Sequence, residues 1–300
     1  MTGGMDEAFR YCERLTAAHG RTYHLASRLL PPGRRAGVHA LYGFARTVDD
    51  IVDVTAVDDP ATASRQVDAV LARLYAALDG DPGPADDVGL VVRAVAATVV
   101  RYGIPLDHFE AFVRSMRMDI PGTAVFRDRY RDMAELREYM YGSAAVIGLQ
   151  LLPVFGVDDP DRAGPYAAAL GTAFQLTNFV RDVGEDLARG RIYLPADGWS
   201  AFGVDDELLA ECLRAGAPDP RVRRALAHFV ALARADYRRA EPGLALLPDR
   251  VRPGIRAAFV LYGSILDEVE DNGYRVFDRR AVVPRRRRLA VLLAQLASRR

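Results

Sequence analysis

No lysine occurs in the 300 residues, so all 40 basic side chains are arginine. They are spread along the whole chain, which fits GC-rich coding better than a choice of guanidinium for phosphate geometry, so abundance alone marks no site. Acidic side chains also number 40, leaving a formal net charge of zero, and this excludes a wholesale nucleic-acid binder, which shows a basic excess. Only two cysteines are present, Cys12 and Cys212, without metal-ligand spacing; with no signal peptide ahead of the first helix, a reduced, cytoplasmic protein is expected. No apolar run approaches the roughly 20 residues of a membrane span. The five histidines form no HExxH pattern and accompany no serine-nucleophile pattern, and no strand leads into a GxGxxG turn, the usual dinucleotide signature.

Half of the residues are apolar, enough to bury a large core, and no linker divides the chain. One domain spanning 1–300 is expected. Proline and glycine punctuate it at Pro31-Pro32-Gly33, from Asp79 to Asp87, at Pro121-Gly122, from Gly156 to Pro165, from Gly190 to Asp205, from Gly216 to Pro220 and near Pro248 to Pro253. The segments between are rich in Ala, Leu, Arg and Val at spacings of three and four, and no strand alternation persists. The expected fold is an all-α bundle with a cavity between its helices.

Two aspartate pairs stand out. Asp49 and Asp53 lie in ARTVDDIVD, Asp182 and Asp186 in QLTNFVRDVGED. At 3.6 residues per turn, Tyr42, Arg46, Asp49 and Asp53 share a stripe within an arc of roughly 60°, and Gln175, Asn178, Asp182 and Asp186 one of roughly 80°. A single i, i+4 aspartate pair is usually a solvated face. Here Val48, Ile51, Val52 and Val54 crowd the first pair, and Phe174, Leu176, Phe179 and Val180 the second, so both helices belong in a core.

Buried carboxylates at this spacing repel, so a cation is expected between them. Mg²⁺, or Mn²⁺ in its place, suits such a site because it takes one or two carboxylates and completes its shell with water and substrate phosphate. The candidate ligands are Asp49, Asp53, Asp182 and Asp186, with Asn178 and Gln175 beside them. Arg46 and Arg181 offer guanidinium forks for phosphate oxygens. The chemistry this implies is loss of diphosphate from an allylic carbon, leaving a carbocation that needs a dry, aromatic-lined cavity. Tyr23, Tyr42, Tyr139, Tyr141, Phe174 and Tyr262 are available to line it, although any one aromatic at helical spacing is more often plain core.

At this level of detail the chain resembles the squalene and phytoene synthases, which join two prenyl diphosphates head to head. The resemblance runs through HGRTYHLASRLLPPGRRAGVHALYGFARTVDDIVD, YMYGSAAVIGLQLLP and the closing RAAFVLYGSILDEVEDNGYRVFDRRAVVPRRRR, and is most specific in QLTNFVRDVGEDLARGRIYLP. It implies a single-domain isoprenoid-synthase-type bundle, with Asp49, Asp53, Asp182 and Asp186 as the two aspartate motifs. It also implies diphosphate or cavity contacts from His19, Arg21, Tyr23, Tyr42, Arg46, Tyr139, Gln175, Asn178, Arg181 and Tyr262. Bacterial phytoene synthases look most similar, especially in GSAAVIGLQ. The reaction implied condenses two geranylgeranyl diphosphates through a cyclopropylcarbinyl diphosphate to phytoene, for downstream carotenoid enzymes, with no NADPH. Farnesyl diphosphate giving squalene or dehydrosqualene is the alternative. A class I terpene cyclase and a non-catalytic assembly protein derived from this fold are the other readings; the paired motifs disfavour the first, and the intact aspartates the second. The chain departs from many relatives at Gly20, where they place a serine, and at Tyr23, where phenylalanine is common.

Three further expectations are specific. Arg189 to Pro195 closes over the diphosphates with Arg189 and Arg191, or is an ordinary helix exit with Gly190 as its left-handed stop. Ser143, Ala144, Ile147 and Gly148 leave room for a long prenyl tail. The terminal RRRRLAVLLAQLASRR, with Leu289, Leu292, Leu293 and Leu296 on one face, lies in a membrane interface at the inner leaflet or packs on the bundle.

Overall fold

The computed structural model describes residues 2–81 and 83–297, with the side chains at 2, 3, 21, 22, 292 and 295–297 outside the description. Its α-helices are α1 Thr2–His19, α2 Arg21–Ser27, α3 Pro32–Asp50, α4 Ala56–Asp58, α5 Pro60–Leu78, α6 Asp87–Tyr102, α7 Asp107–Arg117, α8 Met133–Met140, α9 Val146–Phe155, α10 Pro160–Ala188, α11 Ala196–Ser200, α12 Asp206–Ala215, α13 Pro220–Ala240, α14 Arg252–Asp271 and α15 Arg285–Ala297. Two π-helical turns, Ile51–Thr55 and Tyr141–Ala145, and a 3₁₀ turn, Glu241–Leu246, join some of them. Among the described residues there is no strand, only an isolated parallel bridge between Arg129 and Ile192. The expected all-α bundle is what forms.

Local chemistry explains the boundaries. In α6 the N-cap Asp86 accepts the Gly89 N–H at 2.7 Å, Val91, Val92, Val95 and Val99 are buried at spacings of one, three and four, and Gly103 ends the helix at φ 65°. Each such valine contributes roughly 1.5–3 kcal/mol relative to exposure. The longest helix, α10, begins at N-cap Asp159, which accepts the Arg162 N–H at 3.0 Å, and the left-handed Gly190 (φ 75°) follows its end. The break expected from Gly156 to Pro165 therefore closes at Asp159, and Pro165 sits inside the helix just past its first turn, where it forgoes the bond an N–H would make to the Asp161 carbonyl. Breaks at Gly20, at Asp59 before Pro60, and at Gly103 were not expected; the second is capped by Asp59, which accepts the Thr62 N–H at 2.9 Å.

α10 runs through the bundle, packed on α9, α13 and α14. Its approach to the Tyr141–Ala145 turn and α9 depends on two glycines: a Cβ on Gly148 would stand 2.3 Å from the Ala167 carbonyl oxygen, and one on Gly171 2.3 Å from that of Ala144. Across from this pair lie α2 and α3. Between them is a cavity of about 290 Å³, lined from α3 by Leu41, Tyr42 and Ala45, from α10 by Leu170, Phe174 and Gln175, and from α9 and the turn before it by Ser143, Ala144, Ile147 and Gly148. The four small-residue positions singled out for tail room all lie on its wall.

Candidate active site

Helix α3 presents Tyr42, Arg46 and Asp49 on one side, as the spacing predicts. Arg46 Nη1 donates to Asp49 Oδ2 at 2.9 Å, and its other amino group pairs with Asp50. Asp53 departs from the expected regular helix because it lies in the π turn Ile51–Thr55. A π turn adds a residue to the repeat and shifts the stripe, a local irregularity common at functional sites. Burial and then the neighbouring Asp53 push the Asp49 carboxyl up toward about 7; 45% of that side chain still meets solvent, which tempers the effect.

The second stripe is unbroken helix. Arg181 grips Asp182 through Nε and Nη2, both at 2.7 Å, and Arg280 grips it as well at 2.7 and 2.8 Å. Burial raises the Asp182 carboxyl, but the two guanidinium groups outweigh it and hold the group below the usual carboxylate range. One turn on, burial and the Asp182 charge push Asp186 up to about 8, and its carboxylate has no ion-pair or hydrogen-bond partner among the described residues. Asn178 Nδ2 reaches Gln175 Oε1 at 3.4 Å, while Asn178 Oδ1 is buried without a donor.

The two stripes face each other. Arg189 and Arg191, just beyond α10, reach Asp53 at 3.5 and 3.8 Å. The Arg189 to Pro195 segment is thus closed across the cleft, with Ile192, Tyr193 and Leu194 buried and the Ile192 N–H donating to the Asp128 carbonyl at 3.1 Å. Beneath it lies Asp119, 3% exposed, which accepts the Tyr139 hydroxyl at 2.6 Å and the Tyr193 hydroxyl at 2.9 Å. Burial raises its carboxyl to about 6, against the pull of Arg191 and the two hydroxyls.

The aromatic candidates divide. Tyr23, Tyr42 and Phe174 line the cavity, and Tyr262 stacks on Phe174 at 4.4 Å and leans on Tyr23 at 5.0 Å from behind that wall. Tyr139 is not on the wall; it packs among Tyr130, Phe179 and Tyr193 under the aspartates. Tyr141, expected to be available for lining, points outward at 52% exposed because the π turn rotates it away from the core. His19 is exposed at the end of α1, and the Arg21 and Thr22 side chains lie outside the described residues. At Gly20 the Tyr42 ring fills the space a side chain would take, since a Cβ would stand 2.7 Å from its Cζ.

A divalent cation fits as a shared rather than an enclosed guest. Among the described residues no three His, Cys, Asp or Glu side chains converge on one point, yet Asn178 Oδ1 is an unpaired buried acceptor and Asp186 an unpaired carboxylate about two turns further along the same helix. All the donors are oxygens, the preference of Mg²⁺ when substrate phosphate completes its shell.

A family model described as squalene/phytoene synthase matches residues 16–287. The chain belongs to that family. Its relatives include a phytoene synthase of Arthrospira platensis, 35% identical over 98% of this chain and 94% of that one, and a 15-cis-phytoene synthase of Synechocystis, 33% identical over 96% and 84%. A chloroplastic phytoene synthase of maize is 35% identical over 97% of this chain, which spans 66% of that longer protein. Among solved structures, a dehydrosqualene synthase in complex with ligand superposes with a TM-score of 0.85 at 27% identity, covering 98% of this chain and 97% of that one.

Within this squalene/phytoene synthase site, three residues escaped the sequence reading. Asp119 is a lone aspartate before Pro121, Tyr193 looked like part of a loop, and Arg280 is one arginine in a run of them. The one available signal was Asp119 between Met118 and Ile120, both buried, since a carboxylate flanked by core residues needs a partner.

Proposed function

We propose that this chain is a phytoene synthase, which joins two geranylgeranyl diphosphates head to head through a cyclopropylcarbinyl diphosphate and releases diphosphate, supplying carotenoid biosynthesis. The observation that supports this reading is that the two stripes border one apolar cavity through Tyr42 and Gln175, with Arg189 and Arg191, just past the second, reaching Asp53 of the first. When bound, Mg²⁺ or Mn²⁺ supplies positive charge to the departing diphosphate, held by Asp49, Asp53, Asp182, Asp186 and Asn178. The chain's own residues do the rest. Arg46, Arg181, Arg191 and Arg280 turn their forks from carboxylates to phosphate oxygens, and each such charge-assisted bond grows in strength as charge collects on the leaving group. Tyr23, Tyr42 and Phe174 present ring faces to the allylic cation, and the cavity walls exclude water that would trap it as an alcohol. No side-chain nucleophile takes part. NADPH is not needed, because loss of a proton, and not hydride transfer, ends the sequence.

The 300 residues act as one domain. We further propose that the enzyme works in the cytoplasm at the inner face of the membrane, through α15. That helix packs inward through Val291, while Leu289 and Leu293 stay exposed at 58% and 56% on the same helix as Arg285, Arg286 and Arg288. No helix among the described residues is long and apolar enough to cross a membrane. Leu292 and Leu296, counted on that face in the sequence, lie outside the described side chains.

Incubation with geranylgeranyl or farnesyl diphosphate and Mg²⁺, with and without NADPH, followed by identification of the hydrocarbon, tests the reading. Phytoene from geranylgeranyl diphosphate, indifferent to NADPH, is expected. The structural likeness to a dehydrosqualene synthase supports farnesyl diphosphate as the second reading. A hydrocarbon from farnesyl diphosphate alone would establish it, and no hydrocarbon from either would overturn both.

A further inference from the structure

A buried carboxylate that meets no guanidinium head-on is costly, and Asp119 is such a group. Its two oxygens accept only neutral hydroxyls, Tyr139 Oη on Oδ2 at 2.6 Å and Tyr193 Oη on Oδ1 at 2.9 Å. Its main-chain carbonyl accepts Arg191 Nη2 at 2.9 Å, and Arg191 Nη1 lies 3.4 Å from the Tyr193 hydroxyl. From Arg191 the chain of contacts continues to Asp53 at 3.8 Å. One residue therefore ties α8, the strap after α10 and the π turn of the first motif into a single polar network inside an otherwise apolar floor. Taking a carboxylate from water to this position costs several kcal/mol that two neutral hydrogen bonds do not return. An apolar side chain there would leave the Tyr139 and Tyr193 hydroxyls buried without an acceptor, so the carboxylate and the two phenols form one unit.

We propose that Asp119 is a positioning residue of the reaction: by accepting both phenolic protons it turns the oxygen lone pairs of Tyr139 and Tyr193 away from itself, so that the Tyr193 oxygen receives Arg191, the residue that spans to Asp53. Both hydroxyls then stand as acceptors. Neither then offers a proton to another carboxylate, and Arg191 is held where it meets Asp53. Asparagine, nearly the same size, cannot reproduce this. Its amide oxygen accepts one phenol, but its NH₂ donates to the other and forces that hydroxyl to release its proton in a new direction. The Arg191 contact survives, because it is made to the backbone. This inference rests on the head-to-head prenyl transfer proposed above.

The test is a double-mutant cycle of Asp119→Asn with Tyr139→Phe, scored by kcat and KM for geranylgeranyl diphosphate and by calorimetric binding of inorganic diphosphate with Mg²⁺. Each single variant is expected to lose on the order of tenfold or more in kcat with KM within about threefold, and the double variant to lose no more than the worse single one. Diphosphate binding by Asp119→Asn should stay within about threefold of the parent. Unchanged kcat in Asp119→Asn, or multiplicative losses in the double variant, would overturn the proposal. If Asp119→Asn does not fold by circular dichroism, Asp119→Leu, similar in size and able to accept from neither phenol, replaces it in the same cycle. The unaltered protein is assayed first, so absence of any hydrocarbon there counts against the reaction and not against Asp119.

Discussion

Arg280 closes on Asp182 with two parallel hydrogen bonds, Nε to Oδ1 at 2.7 Å and Nη2 to Oδ2 at 2.8 Å, although 98 residues separate them. Arg181 takes the same carboxylate through its own fork. A carboxylate offers about four lone-pair sites, so two bidentate partners leave Asp182 none for a metal ion until one turns away. Arg280 is the freer, 47% exposed against 16% for Arg181. Arg280→Ala should therefore bind Mg²⁺ alone more tightly, yet bind diphosphate with Mg²⁺ about tenfold to a hundredfold more weakly, since a hydrogen bond to a charged group is worth about 1.5–3 kcal/mol. Isothermal titration measures both, and equal affinities for both ligands would contradict the exchange.

The pH dependence follows from Asp186. Its ordinary value of 3.8 is raised to about 8 in the fold, so between those values the folded state holds a proton that the unfolded state has lost. Stability of the metal-free protein must then fall as pH rises from about 4 to 8, because the unfolded state binds fewer protons there. Mg²⁺ competes with that proton, so its affinity should rise over the upper part of the window. Melting curves at pH 5 and 8 for the parent and Asp186→Asn test this. The variant should lose turnover, keep its fold and show a smaller fall; an identical fall would remove Asp186 as the cause.

Gly20 and Tyr42 are a matched pair. A Cβ at residue 20 would lie 2.7–2.9 Å from Cζ, Cε2 and the hydroxyl oxygen of Tyr42, so Gly20→Ser must displace that side chain or the start of α2. Overpacking of this kind costs about 1–3 kcal/mol. Tyr42→Leu in the same chain should recover most of it. Chemical denaturation of the single and double variants checks the pairing, and additive losses would refute it.

Cavity depth can be altered at Ser143. Its side chain lines the wall and its Oγ is buried without a partner, so a larger apolar side chain forfeits no hydrogen bond. Ser143→Phe should lower kcat/KM for geranylgeranyl diphosphate about tenfold relative to farnesyl diphosphate, within the range that hydrophobic pockets discriminate tail length. Gly148 is the poorer target, because a Cβ there strikes the Ala167 carbonyl and disturbs the α9–α10 contact itself. An unchanged ratio in Ser143→Phe would place the tail elsewhere.

Leu289 and Leu293, exposed on α15, should hold the protein on anionic vesicles. Replacing both with serine is expected to reduce recovery in a flotation assay several-fold at low salt, in proportion to the apolar area lost. Equal recovery would leave α15 as a packing helix only.

Much of this architecture was written in local patterns. Apolar spacing marked the helices, Asp86 and Gly190 show why some of their ends were legible, and the Gln175 to Asp186 stripe needed only an uninterrupted α10. The first stripe was less exact because a π turn leaves no clear trace in residue type. Tyr139 was named for the cavity wall but stands beneath it, since periodicity gives the side of a helix and not the distance to a void.

The sequence by itself determined that two acidic stripes would sit among apolar neighbours on helices, and that small side chains would leave a hollow between them. These are consequences of repeat length and side-chain volume within one segment. Only the tertiary structure decided which carboxylate each arginine neutralises, that Asp119 binds Tyr139 and Tyr193 from 20 and 74 residues away, and that Asp186 is left unpaired. Such partnerships depend on where separate helices cross, and distances through space carry no period along the chain.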